Sequence, residues 1–125
     1  MDDPSTTVLT VEKIPVNDDL LEGYIAKAVI NRPSKLNALN AEIMDSLKKF
    51  CAWVENNESV RCVIIAGAKP LPAEEGKRPK PNAFVAGADI SEFVGMDSEA
   101  AKVKFTDNAV EALWGLTKPT IATVS

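Results

Sequence analysis

Two periodicities divide the chain. From Thr6 to Ile14 apolar and polar residues alternate loosely through a run rich in Val, Leu and Thr, which predicts a strand. Asn17-Asp18-Asp19 supplies turn chemistry, and Tyr24 to Ile30 (YIAKAVI) predicts a second strand, antiparallel to the first. Proline at 33 then breaks the pattern by pushing Arg32 away from helical angles. Beyond it the spacing turns helical. Ile43, Met44, Leu47, Phe50, Cys51 and Val54 form one apolar stripe on a helix from about Asn40 to Glu55. Asn40 is its N-cap, and Glu42, Asp45, Lys48 and Lys49 occupy the solvated side.

Val60 to Ala66 (VRCVIIA) is a short, nearly continuous apolar run closed by Gly67, the pattern of a strand covered on both faces. Strand, helix and strand at this spacing make a crossover unit, so the sheet should be partly parallel. The next stretch, 69–82 (KPLPAEEGKRPKPN), holds four of the eight prolines and few apolar residues, and reads as an exposed loop insertion. Its basic part, Lys77-Arg78-Pro79-Lys80, lacks the aromatic platform that nucleic-acid binding would add. Past it, Ala83 to Ile90 leads toward a helix from about Ser98 to Leu116 with Asp97 as N-cap. Ala101, Phe105, Ala109, Ala112, Leu113 and Leu116 make its buried stripe. Lys118-Pro119 ends that helix, and Thr120 to Val124 predicts another strand.

Composition narrows the chemistry. At 125 residues the chain is within the size of one domain, and 46% hydrophobic with 26% charged residues describes an ordinary globular protein. No apolar run reaches the roughly 18 residues of a membrane span. A net charge of −4 argues against nucleic acid as a partner. There is no histidine, which removes Ser-His-Asp, Cys-His and His-based zinc sites, and no metal site is expected. The acidic start Met1-Asp2-Asp3 fits neither a secretory nor a mitochondrial signal. The expected compartment is the cytoplasm, with mitochondrial and peroxisomal placement left open, and Cys51 and Cys62 are expected as reduced thiols.

Chemistry must then come from carboxylates or from the backbone. Val85-Ala86-Gly87-Ala88-Asp89 is the best candidate, because small residues let the main chain approach a ligand and present bare amide protons. Asp89 can hold such a turn by bonding nearby amides. Taken alone, the same residues equally suit a small-residue turn packed under a helix.

Four segments in order add to this reading: Asn31-Arg32-Pro33-Ser34-Lys35-Leu36-Asn37-Ala38-Leu39-Asn40, Val63-Ile64-Ile65-Ala66-Gly67, Phe84-Val85-Ala86-Gly87-Ala88-Asp89-Ile90, and Lys118-Pro119-Thr120-Ile121-Ala122-Thr123-Val124. The series resembles the enoyl-CoA hydratase/isomerase (crotonase) superfamily, from about Val8 to Ser125. The resemblance implies an α/β fold, a crotonase-like spiral of strand-strand-helix turns with a partly parallel sheet, of which residues 1–125 are the N-terminal part and the C-terminal turns are missing. It implies an acyl-CoA thioester as substrate, with coenzyme A part of that substrate and no separate cofactor. It also implies a homo-oligomer, a trimer or a hexamer.

By the same resemblance the thioester oxyanion is held by two backbone amides, the first of them Ala88. Ala86, Gly87, Asp89 and Ile90 line the CoA and acyl path, and Lys35 and Leu36 contact the CoA moiety. Ser91 and Glu92 stand where many hydratases carry a lysine that reaches the CoA phosphates. The second oxyanion amide and the paired glutamates of a hydratase fall after Ser125, so this chain by itself is expected to be inactive. The implied activity is enoyl-CoA hydration in fatty-acid β-oxidation. The alternatives are an enoyl-CoA isomerase and a non-catalytic acyl-CoA- or partner-binding protein.

Overall fold

In the computed structural model, residues 3–16, 22–70, 73, 75–78, 83–85 and 109–124 are described. Strands β1 (Leu9–Pro15) and β2 (Tyr24–Ile30) pair antiparallel, Leu9 opposite Ile30 and Pro15 opposite Tyr24. Helix α1 (Ala41–Glu55) then carries the chain back, and β3 (Val60–Gly67) joins β2 in parallel. A short helix α2 (Ala109–Trp114) precedes β4 (Thr120–Thr123), which lies parallel to β3. The sheet order among the described residues is β1-β2-β3-β4. The strand–helix–strand unit and the partly parallel sheet are as the spacing predicts.

The starts and stops of these elements have local causes. Asn40 caps α1 by accepting the Ile43 N–H at 2.9 Å, supplying an acceptor to one of the helix's orphan amides. β1 begins at Leu9 rather than near Thr6 because Thr6 closes a turn on it. The Thr6 N–H donates to the Leu9 carbonyl at 2.8 Å, and the Leu9 N–H returns to the Thr6 hydroxyl at 3.1 Å. The pairing of β2 with β3 slips between Tyr24 and Ile25, leaving Arg61 as the extra residue of a bulge. Gly23 makes that approach possible: its φ is +135°, and a Cβ there would sit 2.4 Å from the Ser59 carbonyl oxygen. The last helix ends at Trp114, two residues before the sequence pattern suggests. Gly115 follows, its N–H donating to Glu111, and Leu116 folds back onto Leu113. The expected reach of this helix from Ser98 to Asn108, with its cap at Asp97, lies outside the described residues.

One core joins the sheet to α1. Leu9, Ala26, Ala28, Ile30, Val63 and Ile65 meet Ile43, Leu47, Phe50, Cys51 and Val54, all buried. The alanines on β2 leave room for the helix to lie close, and each large side chain in the cluster contributes about 1.5–3 kcal/mol by leaving water. Met44 is half-buried at the margin of its stripe. Trp53, outside the expected stripe, is 5% exposed and packs between Tyr24 and Phe50, with the Lys13 ammonium over both the Tyr24 and Trp53 rings. β3 departs from the pattern of a strand covered on both sides: Val63 and Ile65 are buried, whereas Cys62 and Ile64 are half-covered and Arg61 is exposed.

α2 packs beside α1, and the connection after it is tied to the helix end. The Lys118 ammonium donates to the carbonyls of Val54 and Asn57 at the C-terminal end of α1, as a second donor beside the Asn57 and Val60 N–H groups. Both cysteines are free. Burial pushes the Cys51 thiol up to about 11, with Glu55 adding a smaller push in the same direction, so it stays protonated at neutral pH.

Candidate active site

β2, β3 and β4 run parallel, so their carboxyl ends open onto one edge of the sheet. Crevices outside such ends are where ligands settle in open α/β sheets. Two parts of the chain meet there: the loop from Asn31 to Asn40 after β2, and the residues Ala68 and Ala83–Phe84 that follow β3. The structure thus brings Lys35 and Leu36 to the same end of the sheet as the residues that lead into the Ala-Gly-Ala-Asp segment. Ala86, Gly87, Ala88, Asp89 and Ile90 themselves lie outside the described residues, as does most of the 69–82 loop. Those members of the loop that are described, Lys69, Pro70, Ala73 and residues 75–78, belong to no strand or helix.

The first loop is built on an unusual backbone. Pro33–Lys35 forms a single 3-10 turn with Pro33 at its first position, where a missing N–H costs nothing. Leu36 and Asn37 then both take left-handed angles, φ 52° and φ 58°. Such angles cost most side chains about 1–2 kcal/mol, and asparagine tolerates them better than leucine does. The turn is closed by main-chain bonds from Leu36 N–H to Pro33 O at 3.2 Å and from Asn37 N–H to Arg32 O at 2.9 Å. Arg32 reaches over it, its guanidinium donating to Ala38 O at 3.2 Å. The result lifts Ser34 and Lys35 into solvent and leaves Leu36 half-buried. A cationic ammonium in that exposed position suits an anionic ligand held from outside the sheet.

Asn37 is the opposite case, with only 1% of its surface exposed. Its Oδ1 accepts the Arg32 N–H at 2.9 Å, and its Nδ2 donates to Ala68 O at 3.0 Å and to Ala83 O at 2.8 Å. One carboxamide therefore joins its own loop, the end of β3 and the chain entering the glycine segment. Gly67 allows the third of these to come close: a Cβ on it would lie 2.4 Å from Phe84 O and 2.6 Å from Ala83 O. The sequence pattern gives Asn37 no role. The signal that could have found it is an asparagine a few residues after Arg-Pro in a loop with no glycine. Such a loop must turn on whichever residue best tolerates a positive φ.

Among the described residues no group of three or more His, Cys, Asp or Glu side chains could hold a metal ion. No helix among them is long and apolar enough to cross a membrane. The chemistry this edge of the sheet offers is an exposed cation, a half-buried leucine and closely packed backbone.

A mixed sheet with α1 on its core face and two loops tied together at the carboxyl edge defines an α/β unit. The enoyl-CoA hydratase/isomerase family model matches residues 25–124, which takes in every strand but β1. The short-chain-enoyl-CoA hydratase of Clostridium acetobutylicum is 39% identical over 106 residues, covering 83% of this chain and 36% of that protein. An enoyl-CoA hydratase/carnithine racemase from Magnetospirillum magneticum superposes with a TM-score of 0.72 at 27% identity, covering 96% of this chain and 39% of that one. The enoyl-CoA hydratase of Bacillus anthracis, at 22% identity, shares the fold with a TM-score of 0.66 over 94% of this chain and 39% of its own. The chain belongs to the enoyl-CoA hydratase/isomerase (crotonase) family. It spans a little over a third of the length of the Clostridium relative and about two fifths of the two solved structures.

Proposed function

We propose that this protein acts on acyl-CoA thioesters as an enoyl-CoA hydratase, adding water reversibly to a 2-enoyl-CoA in fatty-acid breakdown. The observation that carries the reading is the 39% identity to a short-chain-enoyl-CoA hydratase across residues that include both loops at the carboxyl edge of the sheet. On this reading the Ala88 backbone N–H is one of two donors to the thioester oxygen, with Ala86, Gly87, Asp89 and Ile90 along the path of the acyl-CoA. Lys35 and Leu36 meet the CoA moiety, the ammonium facing its anionic groups. A fixed amide serves this chemistry because negative charge develops on the thioester oxygen as water adds, and a dipole already in place needs no reorganisation. Proton transfer to and from water falls to carboxylates that, on this reading, follow Ser125. The assembly is expected to be a homo-oligomer.

The experiment is steady-state hydration of crotonyl-CoA by the full gene product, followed as loss of the conjugated thioester absorbance, beside calorimetric titration with the same compound. Turnover to the 3-hydroxyacyl product supports the reading. A shifted double bond instead of a hydroxyl makes the protein an isomerase, binding without conversion makes it a non-catalytic acyl-CoA protein, and no binding ends the reading altogether.

A further inference from the structure

At the carboxyl edge of the sheet, side-chain hydrogen bonds hold the loop after β2 against the residues that follow β3. The Asn37 side chain bonds to both of them. Its two N–H groups leave its own loop entirely, spanning 31 residues to Ala68 and 46 residues to Ala83. Its carbonyl stays at home on the Arg32 N–H. The donors and the acceptor are thus divided between the two sides of the junction.

The choice of residue is itself informative. A backbone at φ 58° is met most easily by glycine, and aspartate tolerates it about as well as asparagine. Glycine has no side chain to bridge the loops. Aspartate would keep the acceptor for Arg32 but turn a carboxylate toward two carbonyl oxygens. Asparagine alone combines tolerance of the angle with one acceptor and two donors in the positions required. Gly67 is the complement: it admits the Ala83–Phe84 backbone to a distance at which the Asn37 amide can hold it.

We propose that Asn37 is a positioning residue, clamping the 32–38 loop to Ala83 and thereby setting the register between Lys35–Leu36 and the chain that runs on toward Ala88. The inference rests on the acyl-CoA reading, and it deepens it. An oxyanion donor must lie within a few tenths of an ångström of its working position, and a misplacement of about 1 Å is enough to lose a hundredfold in rate. Ala83 is five residues upstream of Ala88, and its carbonyl accepts from the Asn37 side chain at 2.8 Å. A clamp at that point acts on the transition state more than on the bound ground state, because CoA contacts made by Lys35 do not depend on where Ala88 points.

The test compares Asn37→Asp and Asn37→Gly with the wild type in the full gene product, the glycine variant keeping the backbone angle free of strain. Amide hydrogen exchange of peptides covering residues 83–90 and 32–38 is read beside kcat and KM for crotonyl-CoA. We expect exchange to quicken in those two peptides and not in α1, with kcat lower by at least tenfold and KM within threefold. A purely structural role would speed exchange across the whole molecule and leave kcat per folded molecule unchanged, and either result overturns the proposal. Localised exchange with kcat within twofold of wild type also overturns it. If the wild type neither binds nor converts crotonyl-CoA, the acyl-CoA reading fails and takes the catalytic half of the proposal with it. The clamp is then judged on exchange alone, and unchanged exchange at 83–90 refutes that as well.

Discussion

Glu55, the last residue of α1, accepts hydrogen bonds from both the main-chain N–H and the hydroxyl of Thr117, at 2.8 Å and 3.0–3.1 Å, across 62 positions of sequence. The neighbouring Lys118 donates to two carbonyls at the same helix end. Together they turn the end of α1 into the anchor from which β4 starts. The pair works in the direction the helix dipole favours for Lys118, a cation beside carbonyls at the helix C-terminus, and against it for Glu55, whose value is in the two donors it receives.

This arrangement predicts unequal costs. Lys118→Met keeps the stem and removes the ammonium, leaving the Val54 and Asn57 carbonyls with only their main-chain donors, the Asn57 and Val60 N–H groups. We expect a loss of about 1–2 kcal/mol in stability, read as an earlier midpoint in urea with an unchanged slope. Glu55→Gln retains an acceptor for Thr117 and should cost less than half of that. Equal losses would show that the charge of Glu55, rather than its oxygen, holds the connection.

Gly67 yields a second prediction. A Cβ on Gly67 would collide with main-chain oxygens of Ala83 and Phe84, which have no flexible end to swing away. Gly67→Ala should therefore cost about 1–3 kcal/mol, the usual range for overpacking, and should lower the rate on crotonyl-CoA by moving the chain ahead of Ala88. Gly115→Ala is the control, since its nearest neighbour is the Glu111 carbonyl oxygen at 3.4 Å and the space is ordinary. That variant should stay within about 0.5 kcal/mol of wild type. Thermal melts of both variants decide the matter.

Cys51 gives the fold a dependence on alkaline pH. Its thiol ionises near 9 when unfolded and is pushed up to about 11 in the folded chain, chiefly by burial. The folded state therefore holds its proton more tightly. The stabilisation is complete below pH 9 and is lost as pH rises toward 11. Urea midpoints should fall across that interval, and Cys51→Ala should fall less steeply. A thiol reagent at pH 8 should leave Cys51 unmodified until the protein is unfolded.

Much of this fold was legible in the pattern of the chain, for reasons that differ from element to element. β2 was found to the residue because Tyr24–Ile30 sits between turn chemistry and a proline. α1 was found because Asn40 and the stripe from Ile43 to Val54 agree with each other. Periodicity missed Trp53 because a large aromatic can reach the core from beside the stripe, where it meets Tyr24 of β2. Thr6 was read into β1 because local hydroxyl bonding competes with strand pairing without changing the apolar pattern. At the site the limit is different in kind. Arg-Pro and Gly67 mark a turn and a close approach, but nothing in spacing says that residues 37 and 83 meet, because a long-range bond between a carboxamide and a main-chain carbonyl leaves no periodic trace.

On the acyl-CoA reading the main-chain N–H of Ala88 has a role that no side chain shares. Changing the side chain and changing the amide should then have separable effects. Ala88→Gly keeps the N–H and removes one methyl, so kcat on crotonyl-CoA should fall only severalfold, through a looser backbone. Ala88→Pro deletes the N–H outright. Loss of one oxyanion donor costs about 2.7–4 kcal/mol of transition-state stabilisation, so kcat should drop by about 10²–10³. Proline also fixes φ and crowds the residue before it, so a misfolded site could imitate the loss of a donor. CoA binding separates the two explanations. Calorimetry with CoA itself should return an affinity within a few fold of wild type, since on this reading CoA is met by Lys35 and Leu36, which lie in a different loop. A proline variant that binds CoA normally and yet retains more than a tenth of wild-type kcat would remove Ala88 from the oxyanion hole.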